Sequence, residues 1–241
     1  MPRFYCPQPL TSGTVIDLPE AVAHHARVVR LQAGAPLTLF NGEGGEFDAE
    51  LVTVERHGAS ARILAHHARE CELPYAVTLA QGLPEASKMD WIIEKAVELG
   101  VHAVQPLAAQ RSVVKLSVER AEKRHAHWHG VIVAASAQSG RNRLAALAPV
   151  APLAAWLATP RASEALLLSP RATHSLSAWA AATAPGPVTL LVGPEGGFSD
   201  AEEQAIIDSG AVAVSMGPRI LRTETGALVA LAVLAAHWGG F

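Results

Sequence analysis

The sequence has few cysteines, few aromatic residues and no long apolar run. Two cysteines among 241 residues, Cys6 and Cys71, are too few for a disulfide scaffold or a four-cysteine zinc site. The longest apolar stretch, residues 144–158, contains two prolines and falls short of the roughly 20 residues that a membrane span needs. The first residues lack the apolar core of a signal peptide. We therefore expect a soluble, cytoplasmic protein with no membrane partner.

Half of the residues are hydrophobic and 17% are charged, which is ample for a packed core and excludes a mainly disordered chain. The net charge of −3 is unevenly distributed, because residues 1–72 carry −3, residues 73–180 carry +4 and residues 181–241 carry −4. Lysine and arginine dominate residues 111–143. A basic cluster of this kind can bind a polyanion. Taken alone, it is better explained by a solvated helix face.

The hydrophobic pattern changes near Leu73 and Pro74. Before that point, residues 35–40 and 46–54 flank a glycine-rich turn and predict a β-hairpin, with a third strand over residues 59–65 and a helix over residues 24–31. Residues 1–72 are thus predicted to form a small β-barrel. From Pro74 onward, strands alternate with helices, which is typical of a largely parallel α/β sheet. The predicted domains are residues 1–72 and 73–241.

Two loops of the second domain each follow a predicted strand and precede a predicted helix. The first has the sequence Gly-Pro-Glu-Gly-Gly-Phe-Ser over residues 193–199, and ligands bind at the carboxyl ends of strands in such sheets. Its glycines permit close approach of the backbone to a ligand, and the following helix offers free N–H groups. An ordinary tight turn remains the alternative. The loop is neither a phosphate-binding P-loop nor a dinucleotide-binding glycine motif.

The second loop covers residues 216–226 and contains Arg219, Arg222 and Glu224 between two apolar elements. Charges in such a place need partners, which favours a functional site. The alternative is an Arg–Glu pair that only holds the last helix. Thr223 and Thr225 are candidate helix caps.

These two loops, Gly-Pro-Glu-Gly-Gly-Phe-Ser and Met-Gly-Pro-Arg-Ile-Leu-Arg-Thr-Glu-Thr, closely resemble those of the RsmE family. Its members are SPOUT-superfamily enzymes that methylate N3 of a uridine in small-subunit ribosomal RNA. Similarity extends to Lys88 and to residues 94–96, 98–101, 111–112 and 135–139, the last of which precede Arg141. Residues 24–31 and 40–42 resemble the PUA-like domain of the family. The resemblance implies a C-terminal α/β domain with a SPOUT-type trefoil knot and an N-terminal PUA-like β-barrel that binds RNA.

The resemblance also implies that S-adenosylmethionine is the cofactor. Its predicted binding residues are Leu168, Leu191, Gly193, Glu195, Gly196, Gly197, Met216, Gly217, Ile220, Leu221 and Arg222. Because N3 of uracil must lose a proton, the site has to favour negative charge on the base. The predicted catalytic residues are Arg222, which stabilises the uracil oxygens, Glu224, which orients Arg222, and Glu195, a weaker candidate for general base. No metal is expected, since the histidine pairs lack a third ligand at a recognisable spacing.

The implied partners are 16S ribosomal RNA in an assembled small subunit and a second copy of the chain. The predicted RNA contacts are Arg3, Arg27, Arg30, Arg111, Lys115, Arg120, Lys123, Arg124, Arg141 and Arg143. The last predicted helix is apolar on all sides and must be covered, which a two-fold dimer achieves. Two alternatives stay open: a SPOUT methyltransferase with another RNA target, and a non-catalytic RNA-binding protein of ribosome assembly.

Overall fold

The computed structural model describes residues 1–112, 117–160 and 162–241. Two compact units are present. The first contains Met1–Glu72 and Ser136–Leu144, and the second contains Leu73–Ala135 and Ala145–Phe241. Among the described residues, every helix is too short or too polar to cross a membrane.

A mixed five-stranded sheet forms the first unit over the described residues. Its strand order is β1-β3-β4-β5-β2, with β1 parallel to β3 and all other neighbours antiparallel. One helix packs on β4 and β5, and the apolar side chains between them, such as Leu37, Leu51 and Ile63, are fully buried. The elements are β1 (Arg3–Tyr5), β2 (Val15–Asp17), α1 (Glu20–Val28), β3 (Pro36–Phe40), β4 (Glu46–Glu55) and β5 (Gly58–His67).

The second unit is an α/β structure whose strand pairs are all parallel. Over the described residues its sheet has the order β12-β10-β11-β6-β7-β8, and β9 also pairs with β7. The strands are β6 (Val77–Gly82), β7 (Ala103–Ala108), β8 (Ala146–Leu147), β9 (Ala151–Pro152), β10 (Glu164–Leu168), β11 (Val188–Val192) and β12 (Val212–Val214). The α/β class predicted from the alternating pattern is confirmed.

Helices connect these strands. They are α2 (Ala86–Glu98), α3 (Val118–Ser139), α4 (Leu153–Leu157), α5 (Leu176–Ala182), α6 (Asp200–Asp208) and α7 (Thr223–Trp238). The last helix packs against α2, α5, β6 and β11. This arrangement places the N-terminus of α7 beside the carboxyl ends of β6 and β11, where the two loops of interest also lie.

Two sequences, Ser-Lys-Met-Asp over residues 87–90 and Ser-Asp-Ala-Glu over residues 199–202, have the spacing of a capping box and each predict a helix start. Only the second of these predictions is correct. Ser199 accepts a hydrogen bond from the Glu202 N–H, and the Glu202 carboxylate accepts one from the Ser199 N–H, so the predicted box at α6 is present. At α2 the helix begins after Glu85 without a side-chain cap. Asp90, the predicted partner of Ser87 in that box, instead accepts hydrogen bonds from His127 and Trp128 on α3. Tertiary contacts thus take precedence over the local capping pattern.

Candidate active site

A cavity of about 510 Å³ lies at the carboxyl edge of the parallel sheet. Because β10 lies between β11 and β12, the chain leaving each of these strands reaches the same edge. The walls are formed by residues 168–170 at the end of β10, residues 192–197 at the end of β11, and residues 216, 217 and 219–224 after β12. Lys88 and Gly226 complete them. The size is within the range of small-molecule and cofactor sites.

The glycine loop, defined here as residues 193–198, has a conformation that needs its glycines. A Cβ atom on Gly193 would lie 2.9 Å from the Gly197 Cα and the Phe198 nitrogen, which is too close for any side chain. Gly197 has a φ of +66°, in the region that glycine adopts readily. The Gly197 N–H donates to the Pro194 carbonyl oxygen over 2.8 Å and closes the turn. The loop therefore keeps its backbone exposed toward the cavity.

A buried polar cluster joins the glycine loop to the last helix. The hydroxyl of Thr223 donates to the Gly193 carbonyl oxygen over 2.6 Å and accepts a hydrogen bond from Gln81 Nε2 over 2.9 Å. Gln81 is completely buried at the end of β6, and Thr223 is 8% exposed. Since buried hydrogen bonds of this kind are costly to leave unmade, this cluster fixes the loop against α7. The sequence analysis does not identify Gln81. The pattern that could indicate it is a single amide side chain at the end of an apolar strand.

The carboxylate of Glu195 is held by two donors from α2 and its start. Its Oε1 accepts hydrogen bonds from the Glu85 N–H and from Lys88 Nζ, both over 2.9 Å. Burial acts to raise the pKa of Glu195, but the hydrogen bonds from Glu85 and Lys88 outweigh it and hold the pKa below its ordinary value. The same hydrogen bond raises the pKa of Lys88. Both groups are therefore charged at neutral pH, and Glu195 is a poor proton acceptor.

Glu224 and Arg222 also line the cavity but have different surroundings. Among the described residues, the buried Oε2 of Glu224 has no hydrogen-bond partner. Arg222 is exposed at the N-cap position of α7, and no ion pair between Arg222 and Glu224 occurs among the described residues. The predicted orienting contact from Glu224 to Arg222 is thus absent there. Thr223 does not cap the helix, since its hydroxyl serves the glycine loop.

The structure brings together nearly all of the residues predicted to bind the cofactor. Leu191 is the exception, because its side chain is fully buried within β11 and packs with Leu107 and Leu167 in the core. The interior strand position therefore directs Leu191 away from the cavity. The predicted residues that line the cavity are Leu168, Gly193, Glu195, Gly196, Gly197, Met216, Gly217, Ile220, Leu221 and Arg222.

Two of the arginines predicted to contact RNA are committed to internal contacts of the first unit. Arg141 is 3% exposed and pairs with both carboxylate oxygens of Glu72. Arg3 pairs with Glu46, donates to the Arg141 carbonyl oxygen and lies 4.6 Å from the centre of the Phe40 ring. These predictions are wrong, because guanidinium groups that are largely shielded from solvent and held by internal ion pairs are not available to phosphate.

The other predicted RNA contacts differ in their surroundings. Arg120 and Lys123 are exposed on α3 and Arg124 is half-buried there, with Lys123 paired to Glu119. Lys115 lies outside the described residues. In the first unit, Arg30 and Arg143 are exposed, and Arg143 pairs with Glu70. Arg27 donates to the Glu55 carbonyl oxygen. Arg111 contacts the glycine loop directly.

Comparison with known protein families identifies both parts of the chain. The family model of the RNA methyltransferase domain matches residues 71–235, and the family model of the RNA methyltransferase PUA domain matches residues 18–64. The parallel sheet, the cavity at its carboxyl edge and these two matches define an RNA methyltransferase with an N-terminal PUA-like domain. The SPOUT-type fold class implied by the family resemblance of the two loops is confirmed.

Curated relatives named ribosomal RNA small subunit methyltransferase E are similar over most of this length. The Bacillus subtilis protein is 32% identical, covering 89% of this chain and 87% of its own, and the Synechocystis protein is 34% identical, covering 95% and 75%. A crystal structure of the Neisseria gonorrhoeae enzyme bound to S-adenosylmethionine has a TM-score of 0.92 at 37% identity, with 100% and 99% covered. A Legionella pneumophila putative methyltransferase with the same bound cofactor has a TM-score of 0.89 at 32% identity, with 98% and 97% covered. The chain belongs to the ribosomal RNA small subunit methyltransferase E family.

Proposed function

We propose that the protein transfers a methyl group from S-adenosylmethionine to N3 of a uridine in 16S ribosomal RNA. The observation that carries this proposal is the cavity formed by three loops at the carboxyl edge of the sheet, with Arg222 and Glu224 among its lining residues. Relatives in the same family are named as methyltransferases of small-subunit ribosomal RNA, which is the proposed substrate.

The residues of the cavity fit S-adenosylmethionine. A Cβ atom built on Gly197 or Gly217 meets nothing within 4 Å, so the backbone at both positions is open to a bound molecule. Met216, Ile220 and Leu221 offer apolar contact to a ring, and Ile220 is 86% exposed, which is unusual for a large apolar side chain unless a partner covers it. These loops would hold the adenosine part through backbone groups and apolar side chains.

Bound S-adenosylmethionine supplies an electrophilic methyl group. The chain has to orient the uracil and stabilise the negative charge that develops on it as N3 loses its proton. Arg222 can meet this need, because its guanidinium is exposed at the positive end of the α7 dipole. We assign proton acceptance to Glu224 Oε2 and assign Glu195 to holding Lys88 and the start of α2. A carboxylate with two strong donors is a weaker base than one with an unpaired oxygen.

RNA binding is proposed for the exposed cations of α3 and for the N-terminal domain, residues 1–72. Arg120 and Lys123 lie on one long helix, where phosphate contacts position a nucleic acid without reading its sequence. The assembled small subunit is the proposed substrate, which places the protein in the cytoplasm. The trefoil knot stays a prediction.

A homodimer is proposed from the last helix. Within one chain α7 buries Ala227, Leu231 and Leu234. On its other face Val229 is 37% exposed, and Ala232 and Val233 are half-buried. A second copy can cover this apolar stripe by two-fold symmetry.

The test is transfer of labelled methyl groups to small ribosomal subunits that lack native modification, followed by nucleoside analysis. Wild type is compared with Arg222→Ala and with Lys95→Ala, a control that removes a cation paired on the surface of α2. We expect labelled 3-methyluridine from wild type and from the control, and a loss of 10²- to 10³-fold with Arg222→Ala. Label in another nucleoside would change the target and keep the methyltransferase. Binding of RNA without cofactor binding or transfer would favour the assembly-protein alternative.

A further inference from the structure

The turn that follows β7 is attached to the glycine loop through a side chain that no part of the proposed chemistry uses. Arg111 Nη1 donates to the Gly196 carbonyl oxygen over 3.0 Å and lies 3.3 Å from the Phe198 carbonyl oxygen. One residue earlier, the Gln110 N–H donates to Glu202 Oε1 over 2.7 Å. Glu202 is also the residue that closes the capping box of α6. The turn therefore contacts both the glycine loop and the helix that follows it.

The contact between Arg111 and Gly196 is close as well as polar. A Cβ atom on Gly196 would lie 3.2 Å from Arg111 Cβ and 3.4 Å from its Cδ. The stem of the arginine thus packs against the bare backbone of Gly196, while its guanidinium reaches over to the carbonyl oxygens. A cationic donor makes stronger hydrogen bonds than a neutral one.

The loop needs such support because its composition favours many conformations. Gly193, Gly196 and Gly197 lie within five residues, and glycine loses more backbone freedom on ordering than any other residue. A ligand that has to order this loop binds more weakly by the free energy of ordering. On the opposite side, Thr223 and Gln81 hold the loop at Gly193. Arg111 holds it at the Gly196 and Phe198 end.

We propose that Arg111 is a positioning residue that preorders the glycine loop for S-adenosylmethionine. This inference rests on the proposed function, and it reassigns an arginine that the sequence alone groups with the RNA contacts. The alternative is that the Arg111 guanidinium binds a phosphate of the RNA. The observed hydrogen bonds favour the role in the loop, because Gly196 lines the cofactor cavity and Phe198 directly follows Gly197, another lining residue.

The test measures two affinities separately on the full-length protein. Arg111→Met keeps the packing of the stem and removes the donors, and Arg111→Lys keeps one cationic donor. We expect Arg111→Met to raise the Kd for S-adenosylmethionine about ten- to hundredfold, and Arg111→Lys to recover part of this loss. At saturating cofactor, kcat should stay within about threefold of wild type while KM for the cofactor rises, a split that general destabilisation does not produce.

RNA affinity of the cofactor-free proteins distinguishes the alternative. Arg111→Met should leave the Kd for small-subunit RNA and its salt dependence unchanged, whereas the comparison variant Arg120→Met should weaken RNA binding and leave cofactor affinity unchanged. The inference is overturned if Arg111→Met leaves cofactor affinity intact, or if it only lowers RNA affinity with a salt slope reduced by about one. If wild type itself does not bind S-adenosylmethionine, the proposed function fails first, and the two failures are thereby distinguished.

Discussion

Two carboxylates in the walls of the same cavity differ in what surrounds them. Glu195 accepts hydrogen bonds from the Glu85 N–H and Lys88 Nζ, whereas a buried oxygen of Glu224 has no partner among the described residues. Donors stabilise the ionised form of a carboxylate and reduce its basicity. The sequence places both residues in candidate loops but does not indicate which of them is the stronger base. The reason is that the donors to Glu195 come from residues more than a hundred positions away.

Glu224→Gln should lower kcat for methyl transfer by about 10²- to 10⁴-fold, the range for a lost general base. The amide keeps the size of the side chain but cannot accept the N3 proton. Methyl transfer to small subunits at saturating S-adenosylmethionine measures this effect. A variant that keeps wild-type kcat would show that Glu224 does not act as the base.

Glu195→Gln should change stability in a pH-dependent way. The pKa of Glu195 is lowered in the folded protein, so its contribution is present above the unfolded value of about 4.3 and is lost as pH falls through the lower folded value. We therefore expect the difference in unfolding free energy between wild type and Glu195→Gln to be constant from neutral pH to about 4.3 and to shrink below it. Urea unfolding at a series of pH values measures it. Glu122→Gln, an exposed change on α3, is the control, and a difference that grows on acidification would contradict the assignment.

At the scale of elements, most strands and helices follow from local patterns. The hairpin predicted over residues 35–40 and 46–54 is present as β3 and β4. Local patterns fail where long-range contacts decide, as with Asp90, which accepts hydrogen bonds from α3 instead of capping α2. The same limit applies to Gln81, which the sequence patterns do not identify, and to Leu191, which they assign to the cofactor site although it lies in the core. Whether a residue at the end of a strand faces a cavity or the core depends on neighbours that the sequence does not identify.

The glycines of the site separate into two conformational classes, and substitution distinguishes them. Gly226 lies in α7 and Gly197 has a φ of +66°, yet a Cβ atom at either position meets nothing within 4 Å. Gly226→Ala should stabilise the protein by about 0.5 to 1 kcal/mol. Gly197→Ala should destabilise it by about 1 to 2 kcal/mol, because an L side chain is strained in the left-handed region. Each of the two variants is the control for the other in thermal or urea unfolding. Equal effects of both substitutions on the unfolding free energy would contradict the division into two conformational classes.

At the scale of the whole molecule, the sequence gives the position of charge but not its pairing. Residues 111–143 are strongly basic in the sequence, yet Arg141 is buried against Glu72 and Arg111 holds the glycine loop. The partners of these two arginines, Glu72 and Gly196, are remote along the chain. The basic segment therefore does not form one surface, since some of its cations make internal contacts and others are exposed. Among the described residues, the exposed cations of α3 and Arg143 remain as candidate RNA contacts from this cluster.

The apolar stripe of α7 leads to a prediction about assembly. Val229 is 37% exposed on a helix whose opposite face is buried against α2 and α5, and an uncovered stripe of this kind is typical of an interface. We expect light scattering to give twice the mass of one chain for wild type, and a shift toward the monomer for Val229→Glu, because a buried unpaired carboxylate is strongly unfavourable at a two-fold contact. Ile207→Glu, at an exposed position of α6, is the matched control and should remain dimeric. A monomeric wild type at micromolar concentration, or a Val229→Glu variant that stays dimeric, would exclude this face of α7 as the interface.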